Sequence, residues 1–387
     1  MSSTSFSGNQ HDAPRTSLKE LAVLFLRLGA TAIGGPAVHI AMMEEEVVTR
    51  RGWLSREEFL DFLGATNLIP GPNSTEMAIH IGRVRAGWRG LLVAGVSFIL
   101  PAALMVGCLA WAYVRYGSLP QLNAALYAVK PGVIVVIAQG AFRLARSAIK
   151  SLWLAVLGLA SLMAAAVGLD PLLTMAVAGV LAGLAQLRSR GKGILPAGVA
   201  AGGISLAVSF SLSMLFLVML KIGGSIFGGG YVLVAFLRSD LVIRLGWLTE
   251  RQLLDAVAMG QVTPGPLFTT ATFIGYLLSG VPGALIATIA IFLPAFVLVG
   301  LSGPLVPRIR RSATAGAVLD GINIAALALM IVVSAQLGRS AIGDWFTTAI
   351  ALLSAVLLFR YRVNSAWLVL GSAAMGVALL LSGVQPG

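Results

Sequence analysis

The stretch GGPAVHIAMMEEEVVTRRGWLSREEFLDFLGATNLIPGP, from Gly34 to Pro72, decides the fold, because it returns 194 residues later as GGGYVLVAFLRSDLVIRLGWLTERQLLDAVAMGQVTPGP, from Gly228 to Pro266. Without a gap, 14 of the 39 aligned positions are identical, among them the Gly-Gly pair, Gly-Trp-Leu and Pro-Gly-Pro. Beyond Pro-Gly-Pro the offset settles at 193: Leu100-Pro101-Ala102 matches Leu293-Pro294-Ala295, and Arg146-Ser147-Ala148-Ile149 matches Arg339-Ser340-Ala341-Ile342. Self-similarity of this length means that two halves share one structural plan.

The chain around this repeat is not that of a water-soluble protein. Of 387 residues 58% are apolar and 11% charged, against roughly 25% charged in a soluble domain. That leaves too little polar surface for a soluble particle, so the expectation is an all-α polytopic membrane protein with the lipid bilayer as its partner. The net charge of +12 sits in short clusters between apolar runs, the pattern of cytoplasmic membrane loops, and is no sign of nucleic-acid binding. One cysteine, Cys108, precludes an intrachain disulfide, and three histidines beside it make a transition-metal site a poor expectation. Neither cofactor nor metal is expected. Residues 1–17 lack a positive start and an apolar core and read as a disordered tail.

Each half reads as six apolar segments, at 18–42, 59–82, 90–114, 124–142, 151–167 and 172–187, then at 212–236, 253–278, 284–304, 313–337, 345–359 and 365–383. In the first half, cations crowd the tail and the loops after segments two, four and six: Arg15, Lys19, Arg83, Arg85, Arg89, Arg143, Arg146, Lys150, Arg188, Arg190 and Lys192. In the second half they follow segments three and five, at Arg308, Arg310, Arg311, Arg360 and Arg362. Short cationic loops stay cytoplasmic, so the halves are expected in opposite orientations, which requires one further crossing between them. The uncharged run 194–211 is long enough to be it. The expected layout is 6+1+6: a tail (1–17), a first repeat (18–193), a linking span (194–211) and a second, inverted repeat (212–387), with the N-terminus cytoplasmic and the C-terminus periplasmic. Inverted repeats are a recurring design of secondary transporters.

Both copies interrupt their first two segments. The breaks are Gly34-Gly35-Pro36 and Gly228-Gly229-Gly230 in segment one, Pro70-Gly71-Pro72 and Pro264-Gly265-Pro266 in segment two. Proline removes a backbone donor, and broken backbone inside a membrane persists where it is buried in protein or lines a wet cavity. Restarting helices aim N–H groups at that cavity, an arrangement suited to an anion. Arg27 and Lys221 each lie seven residues before their Gly-Gly break and are expected to face one another near the midplane, two cations for a dianion. Lys130, opposite Asn323 in the repeat, is a third candidate. Hydroxyls near the Pro-Gly-Pro turns, Ser74, Thr75, Thr263, Thr269 and Thr270, either donate to the anion or satisfy freed backbone. Glu76 and His80, one helical turn apart, are either the carriers of a coupled proton or a surface-facing pair beside Arg83 and Arg85. Asp61 and Asp255 are expected to cap or anchor segment two, and Asp320 is a candidate counter-ion. His39 either lines the first break or, as a lone histidine usually does, packs or caps, and Glu44–Glu46 and Arg56–Glu58 are expected to be solvated loop charges. No nucleophile–base set marks an enzyme.

These motifs resemble the chromate ion transporter family in its long-chain, two-domain form. The resemblance rests on Phe25-Leu26-Arg27-Leu28-Gly29, the Gly34-Gly35-Pro36 turn, Gly52-Trp53-Leu54 and Asn67-Leu68-Ile69-Pro70-Gly71-Pro72. In the second half it rests on Phe227-Gly228-Gly229-Gly230-Tyr231, Gly246-Trp247-Leu248 and the run from Gly260 to Tyr276. It implies export of chromate across the bacterial inner membrane and chromate resistance, with sulfate as a related tetrahedral dianion. A sulfate carrier that accepts chromate by mimicry and an anion channel are the rival readings. The coupling ion, a proton or a counter-anion, stays open, and a homodimer is compatible with the sequence.

Overall fold

The computed structural model describes residues 16–189, 210–302 and 312–383. Most of the expected tail, residues 194–209 of the expected linking span, and Arg190, Lys192, Arg308, Arg310 and Arg311 lie outside the described residues. What is described is all-helical, with fourteen α-helices and no strand among the described residues. Five stretches are long and apolar enough to cross a membrane: Asn73–Tyr116, Pro120–Ala148, Pro171–Arg188, Leu267–Leu301 and Ala313–Ala341.

The expected breaks are breaks. Helix α1 (Leu18–Thr31), capped by the Ser17 hydroxyl accepting from the Glu20 N–H, stops before Gly34 and Gly35. Those two glycines have φ of +128° and +83°, a region L-residues with a Cβ avoid. Pro36 opens α2 (Pro36–Glu44), which runs into a π-helical turn at Glu45–Arg50. Next come α3 (Arg56–Thr66), the Pro70-Gly71-Pro72 turn and α4 (Asn73–Tyr116). The second repeat follows the same order: α8 (Leu212–Gly223), α9 (Val232–Leu237) with a π-helical turn at Arg238–Arg244, α10 (Glu250–Val262), then α11 (Thr270–Ser302) after a single 3₁₀ turn. At 1.5 Å rise per residue, α1 is about 21 Å long and α3 about 16 Å, too short to cross a hydrocarbon core of about 30 Å. The expected single segments 18–42 and 59–82 are therefore pairs of half-length helices. Segment two does not begin with its aspartate, either. A capping box of Ser55 with Glu58, and of Thr249 with Gln252, starts α3 and α10, and Asp61 and Asp255 lie inside those helices.

Helices α4 and α11 each fold back on themselves. Ala86 and Gly87 leave helical geometry in α4, as Ser279 and Gly280 do in α11, with φ of +63° and +60° at the glycines. The limbs touch backbone to backbone, Gly82 on Gly90 and Gly275 on Gly283, where a Cβ on any of the four would collide with the opposite carbonyl. Close approach through small residues is a common way for helices to associate without a hydrophobic driving force.

The remaining helices are α5 (Pro120–Ala148), α6 (Leu152–Ala166), α7 (Pro171–Ser189), α12 (Ala313–Ala341), α13 (Trp345–Phe359) and α14 (Ser365–Leu381). They form a bundle in which the repeats exchange partners. Helix α5 packs on α13 and α14 of the other repeat, and α12 on α6 and α7. Gly376 meets the Ala124 backbone and Gly321 the Ala178 backbone at two close crossings. The broken elements form a second group: α1 packs on α4, α8 on α11, and α4 on α11 between the repeats.

Candidate functional site

The four breaks meet. The Gly71 N–H donates to the Ile226 carbonyl at 2.9 Å, and the Gly265 N–H donates to the Ala32 carbonyl at 3.1 Å. Both donors are the glycines of Pro-Gly-Pro turns, and both acceptors precede the Gly-Gly break of the other repeat. The two bonds are the same bond under the 194-residue offset. Gly34, Gly35, Pro36, Gly230, Tyr231, Gly260, Gln261, Thr263, Gly265 and Leu267 line the cleft between the breaks. Its volume is about 10 Å³, room for about one water. No oxyanion enters without movement of the broken segments.

Several groups here are donors or acceptors in waiting. The N–H groups of Gly34, Gly35, Gly229 and Gly230 have no acceptor among the described residues. Gln261 is 8% exposed, and its amide nitrogen makes no hydrogen bond of good geometry, although the Tyr231 hydroxyl lies close. The Thr270 and Thr75 hydroxyls are fully buried without partners. Thr263 and Thr269 instead donate to backbone carbonyls, Thr263 to Met259 and Gly260 and Thr269 to Pro266. Thr263 and Thr269 thus take one of the two expected uses, satisfying backbone, and Thr75 and Thr270 do not. A buried polar group left unpaired costs about 1–3 kcal/mol, so several of them close to the breaks are unusual in a packed interior.

Glu76 is the extreme case. It is fully buried and both carboxyl oxygens lack a partner; a Cβ on Gly71 would collide with its carboxyl group, so that group rests on the Pro-Gly-Pro turn itself. His80 lies on the same helix but stacks on Phe62 at 5.5 Å, and no hydrogen bond joins it to Glu76. His39 closes the first break structurally: its ring nitrogen bonds the Ala32 carbonyl at 3.0 Å, the same carbonyl that receives Gly265.

The cations are placed differently from expectation. Arg27 pairs with Glu46 at 2.9 Å, and Glu46 also takes Arg50 at 3.0 Å and Arg51 at 3.4 Å. Lys221 pairs with Asp240 at 3.0 Å, and Asp240 takes Arg244 at 2.9 Å. Again these are one cluster repeated at an offset of 194, built by the π-helical turns. Neither Arg27 nor Lys221 lines the cleft between the breaks; Arg27 lies instead on a separate groove of about 470 Å³ beside α2. Glu46, expected as a solvated loop charge, is only 5% exposed, because three guanidiniums enclose it. Lys130 stands 3.9 Å from Asp255, and Asp320 is held at the bundle surface by Lys150 at 2.6 Å. The repeat offset that linked Arg27 to Lys221 also links Glu46 to Asp240 and Arg50 to Arg244, so that cluster was present in the sequence. The placement of Gln261 and Tyr231 at the cleft depends on tertiary contacts and carries no such signal.

Comparison with known proteins agrees with this architecture. The sequence profile of the chromate transporter family matches residues 19–184 and 213–377, once per repeat. A "Chromate transport protein" of Cupriavidus metallidurans is 32% identical over 386 residues, spanning 97% of this chain and 96% of its own. A "Probable chromate transport protein" of Synechococcus elongatus is 31% identical over 89% of this chain and 91% of its own. An uncharacterized transporter of Methanocaldococcus jannaschii is 27% identical over 92% of this chain and 93% of its own. No solved structure matches. With a two-fold repeat of broken helices in a membrane-embedded, all-helical frame and both halves matched, the chain belongs to the chromate transporter family.

Proposed function

We propose that this protein is a secondary transporter that exports chromate across the bacterial inner membrane by alternating access, and thereby confers chromate resistance. The observation that supports this best is the pair of equivalent hydrogen bonds, Gly71 to Ile226 and Gly265 to Ala32, which brings the breaks of both repeats to one cleft. Free backbone N–H groups of Gly34, Gly35, Gly229 and Gly230, the Gln261 amide and the Thr270 hydroxyl are the donors of the proposed site. A tetrahedral dianion has four acceptor oxygens and fits a shell of donors without carboxylates, as helix N-termini and backbone nests fit oxyanions elsewhere. Gly228 and the prolines Pro70, Pro72, Pro264 and Pro266 shape the turns that present these groups. Thr269 supports the turn through its own backbone bond.

Arg27 and Lys221 supply positive field from either side in this reading, since Arg27 keeps 55% of its side chain exposed beside Glu46. Glu76 is the proposed proton carrier: ionisable groups within the membrane mark proton relays, and this one rests on the Pro70-Gly71-Pro72 turn with no hydrogen-bond partner among the described residues. Opposite orientation of the repeats, with the N-terminus cytoplasmic, makes exchange of their conformations equivalent to exchange of sides.

The direction is tested by accumulation in cells. Cells that express the protein are expected to hold less labelled chromate at steady state than cells with an empty vector, and to grow at higher chromate. Higher accumulation would reverse the direction and favour the rival reading of a sulfate-type uptake carrier.

A further inference from the structure

The two repeats share sequence but not surroundings. All of Val232–Leu237 in α9 is buried, and α12 covers it. The first-repeat equivalent of Val232 is Val38, which is 36% exposed and borders the open groove beside α2. On α10, Leu254 is 1% exposed, whereas its equivalent Leu60 on α3 is 49% exposed, next to an exposed Asp61. Helix α10 packs on α5 and α14 of the bundle; α3 packs chiefly on α4. Lys221 has Asp170, from the turn before α7, within 3.9 Å. Among the described residues, the ion-pair partner of Arg27 is Glu46, of its own repeat. Asn364 at the start of α14 touches the first break, donating to the Ile33 carbonyl at 2.8 Å, but α2 and α3 stay exposed where α9 and α10 are covered by the bundle.

A polar set holds α10 in that place. Asp255 of α10 accepts from the Tyr113 hydroxyl of α4 at 3.0 Å and faces the Lys130 ammonium of α5 at 3.9 Å. One turn earlier, Arg251 donates to Asn123 of α5 at 2.9 Å. The first repeat cannot build this set. It has Asp61 where the second has Asp255, but Asn323 replaces Lys130, Glu57 replaces Arg251 and Gly316 replaces Asn123. The contact is also loose: Asp255 is 1% exposed, yet one of its oxygens has no hydrogen-bond partner. A buried ion pair without good hydrogen bonding gives little net stability, which suits a contact that must open and re-form.

We propose that this conformation is one end of a repeat-exchange cycle, and that Asp255, engaged by Lys130 and Tyr113, is the positioning residue that keeps the second repeat docked until the first replaces it. This rests on the alternating-access reading above. Lys130 acts here as one arm of a latch rather than as a substrate ligand. Two packings of nearly equivalent sequence differing by a small free energy are what such a switch requires.

The test uses the full chain, purified in detergent so that both faces are accessible, with Cys108→Ala as background. Leu60→Cys shares an exposed helix face with Glu57 and Asp61 and should react rapidly with a polar thiol reagent, while Leu254→Cys should react about ten-fold slower or less. Ala258→Cys, a smaller change at another buried position of α10, serves if Leu254→Cys does not fold. Adding Lys130→Ala or Asp255→Asn should speed labelling on α10 and slow it at Leu60→Cys, each by about ten-fold. Lys130→Arg should leave both rates unchanged, and the exchange Lys130→Asp with Asp255→Lys should restore them. General loosening would instead speed both sites and would overturn the proposal, as would unchanged labelling at both. Chromate flux in proteoliposomes is read separately. If labelling shifts as expected and wild-type protein moves no chromate, the latch stands and the substrate assignment falls; if chromate moves and labelling does not shift, the reverse holds.

Discussion

At the scale of residues, the site depends on positions where only one side chain fits. Gly71 combines φ of +147° with a neighbouring carboxyl group of Glu76 where its Cβ would be, and Gly265 combines +92° with the Cβ of Ala102. Gly52 has a positive φ as well, +58°, but open space around it. Gly71→Ala should therefore lower thermal stability clearly more than Gly52→Ala, for which the backbone strain alone costs roughly 1–3 kcal/mol; equal melting temperatures would mean that the turn is not packed as described. Glu76 calls for a different measurement. In proteoliposomes, Glu76→Gln should still carry chromate down its gradient while losing stimulation by an imposed pH gradient. Persistent stimulation would move the proton to another group.

At the scale of elements, what could be read in the sequence was what repeats. Gly-Gly and Pro-Gly-Pro act through local backbone chemistry, so the breaks were predictable from Gly34, Pro70 and their equivalents alone. The repeat offset likewise foresaw that Arg27 and Lys221 would occupy matching places in their repeats. Their partners were not foreseen: Glu46 and Asp240 sit 19 residues further on, brought back by a π-helical turn that has no propensity signature. The fold-back of α4 and α11 was legible only as an apolar run with a loop, since Gly87 and Gly280 resemble any loop glycine. Its tight crossing gives a prediction. Gly275→Leu would drive a side chain into the Gly283 carbonyl and should lower folding yield and melting temperature. Gly107→Leu, with nothing near its Cβ, should leave both unchanged. Similar behaviour of the two variants would exclude the close backbone contact.

At the scale of the molecule, the repeats are interlaced rather than sequential. Broken elements of both halves form one group and the long helices of both halves form a bundle, with α5 and α12 each lodged against the other repeat. Composition predicted a membrane protein and the repeat predicted two equivalent units, but neither says which faces dock, because apolar helix surfaces in a bilayer are nearly interchangeable as sequence. The difference between the two repeats is a property of the whole assembly, and its trace in the sequence is confined to replacements such as Asn323 for Lys130 and Glu57 for Arg251.

The most direct test of chromate transport is uptake of labelled chromate into everted membrane vesicles, with and without excess sulfate. Saturable uptake well above that of vesicles lacking the protein, suppressed by sulfate, is the expected result. Uptake no greater than in vesicles lacking the protein under every imposed ion gradient would contradict it, as would flux that rises without saturation.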